Sequence, residues 1–235
     1  MKNIAIIPAR GGSKRIPRKN IKQFLGKPII AYSIEAAIKS ELFDEVMVST
    51  DDKEIAEIAV KYGAKVPFMR SSENSNDYAT TYDVINEVLY KYGENGINFD
   101  YVSCIYSTAP FITPERILEA FEKMKSDNVD SIFTCVQYSY PVQRGLCIKS
   151  GKIEMLSPQY KNSRSQDLDA VYHDAGQFYI SKAKELLENK SFWSKNTGAV
   201  ILSELEVQDL DTETDWALAE MKYRLLSNEK DYLQG

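Results

Sequence analysis

Between residues 4 and 137 the chain alternates two different hydrophobic periods, and few architectures satisfy both. Short apolar runs lie at 4–7 (IAII), 45–50 (EVMVST), 66–69 (VPFM), 100–106 (DYVSCIY) and 131–137 (SIFTCVQ). Runs of this length and β-branched character read as buried strands. Between them apolar residues recur every three or four positions. Ile30, Ile34 and Ile38 follow Pro28. Ile55, Ile58, Ala59 and Tyr62 precede Gly63, and Val84, Ile85, Val88, Leu89 and Tyr92 precede Gly93. Thr113 and Pro114 open a segment that runs to 125. A Thr cap, Pro in the first turn and Gly as a stop mark these as helices. Strand and helix in strict alternation require parallel strands joined by crossover helices, so the sheet is covered on both faces.

After residue 138 the rhythm breaks. Two alternating runs carrying Leu146, Ile148, Ile153 and Met155 flank Ser150-Gly151, which predicts a hairpin. A polar stretch, 157–176, follows. An interruption of this length is too long for an ordinary connection, so 138–172 is expected to be an arm inserted in a single domain, 1–235, and to make a subunit contact. Its apolar residues are too few to bury each other, which points to a two-fold homodimer. Strands are expected at 176–181, 198–203 and 206–210. A last helix, 214–226, is expected to bury Trp216, Ala219, Tyr223 and Leu226.

A chain of 235 residues buries roughly 70% of its unfolded surface and needs no staple. Cys104, Cys135 and Cys147 form no CxxC and are expected to be reduced thiols in a cytoplasmic protein. No apolar run approaches the ~20 residues of a spanning helix, so no membrane association is expected. The N-terminus reads as a strand and a basic loop rather than a signal peptide.

The net charge is −5, yet residues 1–34 hold eight Lys and Arg and no acid; the first carboxylate is Glu35. An acidic chain with its cations gathered in one loop suits a polyanionic small molecule better than nucleic acid. That loop, ARGGSKRIPRKN, leaves a buried strand directly, and ligands of open α/β sheets sit beyond the carboxyl ends of the strands. Gly11 and Gly12 allow close backbone approach, and Arg10, Lys14, Arg15 and Lys19 could neutralise phosphates. The loop is neither GxxxxGK[ST] nor GxGxxG; the alternative reading is a solvated basic loop. Asp209 and Asp211, at i and i+2 of an extended segment, can face one hard cation, or else help cap the last helix alongside Glu213 and Asp215. His173 is the only histidine, and no GxSxG accompanies it.

IIPARGGSKRIPRKN resembles the opening signature of the CMP-sugar synthetases, the cytidylyltransferases that activate sialic acids and related nonulosonic acids. STDD at 49–52, Arg70 with DYATT at 77–81, STAPF at 107–111, RSQDL at 164–168, DAGQFY at 174–179 and DLDTETDW at 209–216 extend the likeness over nearly the whole chain. RIPRKNIK, EVMVSTDD and YHDAGQFY resemble most the branch acting on pseudaminic acid. Ser107 departs from the Pro expected in that turn.

The resemblance implies an α/β fold with a mostly parallel, Rossmann-like nucleotidyltransferase sheet, helices on both faces and the hairpin arm for dimerisation. It implies transfer of CMP from CTP to the anomeric hydroxyl of a carboxylated nine-carbon sugar, releasing pyrophosphate. CTP is then expected on Arg10, Gly11, Gly12, Ser13, Lys14, Asn20, Arg70, Ala79 and Thr81. The sugar is expected near Tyr106, Arg164, Gln166, His173, Asp174 and Gln177. Mg2+ is expected on Asp209 and Asp211, with Arg10, Lys19 and Asp211 catalytic. Without the family, Arg70 reads as a surface ion pair, Thr80 and Thr81 as helix caps, and His173 as a structural residue. Two other functions stay open: the same reaction on N-acetylneuraminic or legionaminic acid, and a non-catalytic nucleotide-binding protein.

Overall fold

The structure, a computed structural model, describes residues 1–233. In chain order its elements are β1 (Asn3–Pro8), β2 (Gln23–Phe24), β3 (Lys27–Pro28), α1 (Ile30–Lys39), β4 (Glu45–Ser49), α2 (Lys53–Lys61), α3 (Thr81–Glu94), β5 (Tyr101–Ile105) and α4 (Pro114–Ser126). Then follow β6 (Ser131–Gln137), β7 (Leu146–Lys149), β8 (Lys152–Met155), β9 (Tyr172–Lys182), α5 (Ala183–Asn189), β10 (Thr197–Leu202) and α6 (Glu213–Leu233). The central sheet has the order β10-β6-β9-β5-β1-β4. Every strand runs parallel to its neighbour except β9, which is antiparallel to both β5 and β6.

β1 shows why the sheet needs two covers. Ala5 and Ile7 point into a core shared with α1, α2 and α4, while Ile4 and Ile6 point into a second core under α3 and α5. All four side chains are fully buried, which is what a continuous apolar run in a doubly covered strand requires. A third cluster joins Ile16, Phe24, Tyr32, Phe111, Leu210 and Trp216. Phe24 is its hub, with edge-on rings of Tyr32, Trp216 and Tyr223 at 5.4, 5.7 and 5.7 Å. This cluster docks α6 beneath the loop that follows β1.

Several expectations need correction. Residues 66–69 form no strand; the segment meets β4 only through a single bridge, Lys65 to Met47. Pro67 removes a ladder donor from so short a run. Residues 206–210 also form no strand. The carbonyls of Glu204 and Val207 are taken instead by the Lys222 ammonium at 2.9 and 2.7 Å, so that backbone is satisfied without a ladder. α1 begins at Ile30 rather than Pro28, which pairs with Gln23 in the small β2–β3 hairpin. α3 continues through Gly93 to Glu94. α5, unexpected from its seven-residue span, packs Leu186 into the second core.

The hairpin is where it was expected. Ser150 and Gly151 both have positive φ, 49° and 76°, the backbone of a two-residue turn matched to strand twist. Ile148 lies directly opposite Ile153. Leu146, Ile148, Ile153 and Leu156 are 60–76% exposed.

Candidate active site

A cavity of about 510 Å³ opens beyond the carboxyl ends of β1 and β5, against the first turn of α3. Pro8, Arg10, Ser13, Lys14, Arg15, Lys19 and Asn20 form one side; Arg70, Ala79, Thr81, Tyr106 and Ser107 face them. The basic loop is rigidly seated. Ile16 is fully buried in the third cluster, so the cations on either side of it project outward. The Gly11 amide donates to Asp51 at 2.9 Å. A Cβ on Gly11 would lie 2.7 Å from an Asp52 carboxylate oxygen, so a side chain here would push Asp52 off its partners. Gly12 has open space around it. Asp52 caps α2 through the Ile55 amide and pairs with Arg18 at 2.5 and 3.0 Å. The Arg18 guanidinium holds the Asp52 carboxyl down at about 2. The STDD segment is therefore the brace that shapes the loop.

The loop cations already have anionic or carbonyl partners from distant segments. Asp77 accepts from Arg10 at 2.8 Å and from Lys14 at 2.5 Å. Lys14, then Arg10, hold its carboxyl below the usual range. Lys19 donates to the Leu210 carbonyl at 2.6 Å and lies 3.8 Å from Asp211. Asn20 is buried with both ends used: its amide donates to the Arg10 carbonyl at 2.7 Å and its oxygen accepts from Ser107 at 2.9 Å. Ser107, the departure from the expected Pro, thus supplies the hydroxyl that orients Asn20.

Arg70 is not a surface ion pair. It is 8% exposed and donates from Nε to Ser49 Oγ at 3.0 Å and from Nη2 to the Ser49 carbonyl. Burial pulls its pKa down. Among the described residues no carboxylate pairs with it directly, so this wall of the cavity carries a buried cation open to an acceptor. Thr80, not Thr81, caps α3, in a reciprocal box with Asp83. Thr81 is thereby free to face the cavity.

A second cavity, about 320 Å³, shares Thr80, Thr81 and Tyr106 with the first. Its other walls include Asp174, Tyr179, Lys190, Phe192 and Trp193. Hydrogen bonds cross the shared wall. Thr81 Oγ1 is 3.2 Å from Tyr106 Oη, the Tyr106 and Tyr179 rings meet edge-on at 5.6 Å, and Tyr179 donates to Asp174 at 2.6 Å.

The expected sugar residues are thus only partly brought together. Tyr106 and Asp174 line this second cavity. His173 faces a third, of about 240 Å³, beside Asp209, with its ring 4.7 Å from that of Tyr138. Gln177 is buried and donates to the Glu206 carbonyl. Arg164 and Gln166 are exposed on the arm, where Arg164 pairs with Asp167 at 2.7 Å. Phe192 and Trp193 carry a signal that sequence reading passed over, two adjacent aromatics in a polar stretch.

Asp209 and Asp211 flank Leu210, which is buried in the third cluster, so both carboxylates turn away from it. Asp211 accepts from Arg15 at 2.5 Å. Neither caps α6; Asp215 takes the Thr212 amide at 2.7 Å and the Asp211 amide at 3.2 Å. No group of three His, Cys, Asp or Glu side chains among the described residues is arranged around a metal position. Asp211 lies against Arg15 and Lys19 of the basic loop, whereas Asp209 lines the third cavity; carboxylates so placed suit a hard cation only if its remaining ligands come from phosphates and water.

Known proteins can now be set against this geometry. The cytidylyltransferase family model matches residues 4–210. The chain is 42% identical over 226 residues to the pseudaminic acid cytidylyltransferase of Campylobacter jejuni subsp. jejuni serotype O:2, covering 96% of this chain and 97% of that one. It is 37% identical to a CMP-N,N'-diacetyllegionaminic acid synthase of Legionella pneumophila subsp. pneumophila, over 94% of this chain and 95% of that protein. A solved CMP:2-keto-3-deoxy-manno-octonic acid synthetase, complexed with CTP, shares the fold with a TM-score of 0.70 at 20% identity, covering 97% of this chain and all of that one. A braced basic loop at the carboxyl end of a mostly parallel sheet and a matching family model across that sheet agree: this chain belongs to the cytidylyltransferase family.

Proposed function

We propose that the chain transfers CMP from CTP to the anomeric hydroxyl of pseudaminic acid. The observation that carries this reading is the pair of cavities separated by one wall, Thr80, Thr81 and Tyr106. The cavity lined by Arg10, Lys14, Lys19 and Arg70 takes the nucleotide, and the aromatic one beside it takes the sugar. The anomeric oxygen attacks the α-phosphorus, the bond to the bridging oxygen breaks, pyrophosphate leaves, and the hydroxyl proton is lost to the medium or to a nearby carboxylate. The protein's part is to position groups and stabilise charge. Arg10, Ser13 and Lys14, with the Gly11–Gly12 backbone, hold the triphosphate; Lys19 faces the departing pyrophosphate. Arg70, Ala79 and Thr81 hold the base, and Asn20 keeps the loop in shape around it.

Asp209 and Asp211 would hold Mg2+, which when bound offsets phosphate charge and acidifies a coordinated hydroxyl. Arg15 and Lys19 aim Asp211 at the loop before a ligand arrives. The relatives' names support the sugar class, and the grading of identity, 42% against 37%, favours pseudaminic over legionaminic acid. The exposed hairpin supports a homodimer in which the arm, with Arg164 and Gln166, reaches the partner's sugar cavity. We place the enzyme in the cytoplasm, with the three cysteines as free thiols.

The test is incubation with CTP, Mg2+ and pseudaminic, legionaminic or N-acetylneuraminic acid in turn, following pyrophosphate. Release with pseudaminic acid at the highest kcat/KM, abolished by EDTA, is expected. Release without any added metal, or with none of the three sugars, refutes the reading. Preference for another sugar moves it to that branch.

A further inference from the structure

Among the described residues, the aromatic cavity has one cation and one anion in its walls, Lys190 and Asp174, and they are in opposite states. Asp174 is satisfied by neutral donors: Oδ1 accepts the Gly176 amide at 2.8 Å and Oδ2 accepts the Tyr179 hydroxyl at 2.6 Å. Lys190 is exposed, and among the described residues nothing pairs with its ammonium. The nucleotide cavity differs, since its Arg10 and Lys14 already share Asp77. The backbone holds Lys190 in place. α5 stops on it at φ 52° and ψ 33°, a left-handed ending that usually falls to Gly or Asn. The chain beyond it is pinned to the sheet: Phe192 is buried with its ring 5.5 Å from that of Tyr179, and the Trp193 ring lies 4.5 Å from that of Phe133. A long cationic side chain thus stands where the backbone favours a glycine, and such a mismatch points to a use for the side chain.

We propose that Lys190 recognises the carboxylate of the sugar acid from within the same chain, and so sets an acidic sugar apart from a neutral one. This rests on the reading above that the sugar lies in the aromatic cavity. In a nonulosonic acid the anomeric carbon bears both the carboxylate and the hydroxyl that attacks. The α-phosphate it approaches is also anionic, so two negative groups have to meet across the wall formed by Thr80, Thr81 and Tyr106. An ammonium on the sugar side offsets that repulsion, and a charge-assisted hydrogen bond fixes which way the anomeric centre faces. Asp174, held by Gly176 and Tyr179, leaves the ammonium unclaimed, and its own charge turns a misplaced carboxylate away. Arg164, the arm's candidate for the same task, already pairs with Asp167 at 2.7 Å.

The test compares pseudaminic acid with its methyl ester, at saturating CTP, on the full-length protein. The parent is expected to prefer the acid about thirtyfold in kcat/KM. Lys190→Met should reduce that preference about tenfold by losing activity on the acid, mostly through KM, and should flatten the rise of KM with salt. Lys190→Gly suits the left-handed backbone and removes only the side chain, so it should lose the preference as far as Lys190→Met does. Lys190→Arg keeps the charge and should retain most of the preference. Calorimetric binding of CTP without sugar should be the same in all three variants. A loss in Lys190→Met that Lys190→Gly does not share would mean that the turn matters and the charge does not, which overturns the proposal. So does an equal loss on acid and ester, weaker CTP binding, or a preference that persists in Lys190→Met and falls in Arg164→Ala, which would give the carboxylate to the arm. Trp193→Ala checks the underlying reading: if it leaves the KM for sugar unchanged, the sugar does not lie in this cavity, and reading and proposal fall together. If Trp193→Ala raises that KM while neither Lys190→Met nor Lys190→Gly alters the acid preference, the cavity placement stands and the role of Lys190 is refuted.

Discussion

The loop at 10–20 and the arm at 138–172 are both polar insertions in an apolar framework, yet they are finished to different degrees. Four polar side chains of the loop meet partners from elsewhere in the same chain: Asp77 for Arg10 and Lys14, the Leu210 carbonyl for Lys19, Ser107 for Asn20. Its underside is locked by Ile16. Among the described residues, the arm's polar side chains pair only with other parts of the arm. Arg164 pairs three residues away with Asp167, and Ile148 and Ile153 face each other at 76% and 68% exposure. On the proposed reading, the nucleotide half of the site is complete within a single chain, and the sugar half would take its arm from a second one.

The largest expected effect tests the complete half. Lys19→Ala removes a cation, only 22% exposed, from the cavity. Charge there is weakly screened, and turnover with CTP should fall about 10²- to 10³-fold. Gln177→Ala, whose amide points to the Glu206 carbonyl away from both cavities, should leave CTP affinity within about twofold. Calorimetric titration with CTP alone separates them; equal losses would end the division into a nucleotide half and a sugar half.

Next comes the incomplete half. Ile148→Glu with Ile153→Glu puts like charges opposite each other on an exposed face. Each chain should stay folded, because neither side chain is in a core, while self-association fails. Light scattering should show a monomer, and turnover should drop about tenfold through the KM for sugar with CTP affinity intact. A dimer that persists in the double variant would place the interface elsewhere.

How far the sequence carried this comparison depends on the kind of force involved. The parallel core, the caps at Thr80 and Thr113, and the turn at Ser150-Gly151 were legible because each depends on neighbours within a few positions. The reversed direction of β9 was not. It depends on where the arm returns the chain, and the slot between β5 and β6 is left open by α4, far earlier. The loop cations were visible, but their partners were not, since Asp77 is 63 residues from Lys14 and Asp211 is 196 from Arg15. Arg70 shows the limit most sharply. By composition an arginine belongs on the surface, and only the close approach of Ser49 shows it buried.

A smaller effect is expected from acid. Glu87 accepts from Lys91 at 2.6 Å, from Asn74 at 2.6 Å and from the Ser71 amide and hydroxyl at 2.9 and 2.8 Å. Burial pushes its carboxyl up, but these donors outweigh burial and bring it to about 2. A carboxyl depressed on folding stabilises the native state above its unfolded value, and that contribution is lost as pH falls from about 4.5 toward 2. Since Glu87 ties down 71–74, the rim of the nucleotide cavity should loosen in that window. Glu87→Gln should be less stable than the parent at pH 7 and nearly equal to it near pH 2.5, by thermal melts. A constant gap across that range would show that the carboxylate charge is not what holds the rim.

The smallest effect concerns Asp77 and has the opposite sign. Its carboxylate occupies the space between Arg10 and Lys14 that a triphosphate would take. Arg10, Lys14 and Asp77 have side-chain exposures of 38%, 78% and 45%, so the ion pairs are solvated and individually weak. Removing the charge therefore should not harm the fold. It should free two cations from an internal competitor. Asp77→Asn keeps the shape and should bind CTP about two- to fivefold more tightly, with a steeper loss of affinity as salt rises, because the ligand then meets the full charge of both cations. The gain should be absent in Arg10→Ala/Asp77→Asn relative to Arg10→Ala if Arg10 is the main beneficiary, and halved if Lys14 shares it. Weaker CTP binding in Asp77→Asn would mean that the carboxylate positions the loop rather than competing for it, and the nucleotide half would then be held ready by its acids as much as by its bases.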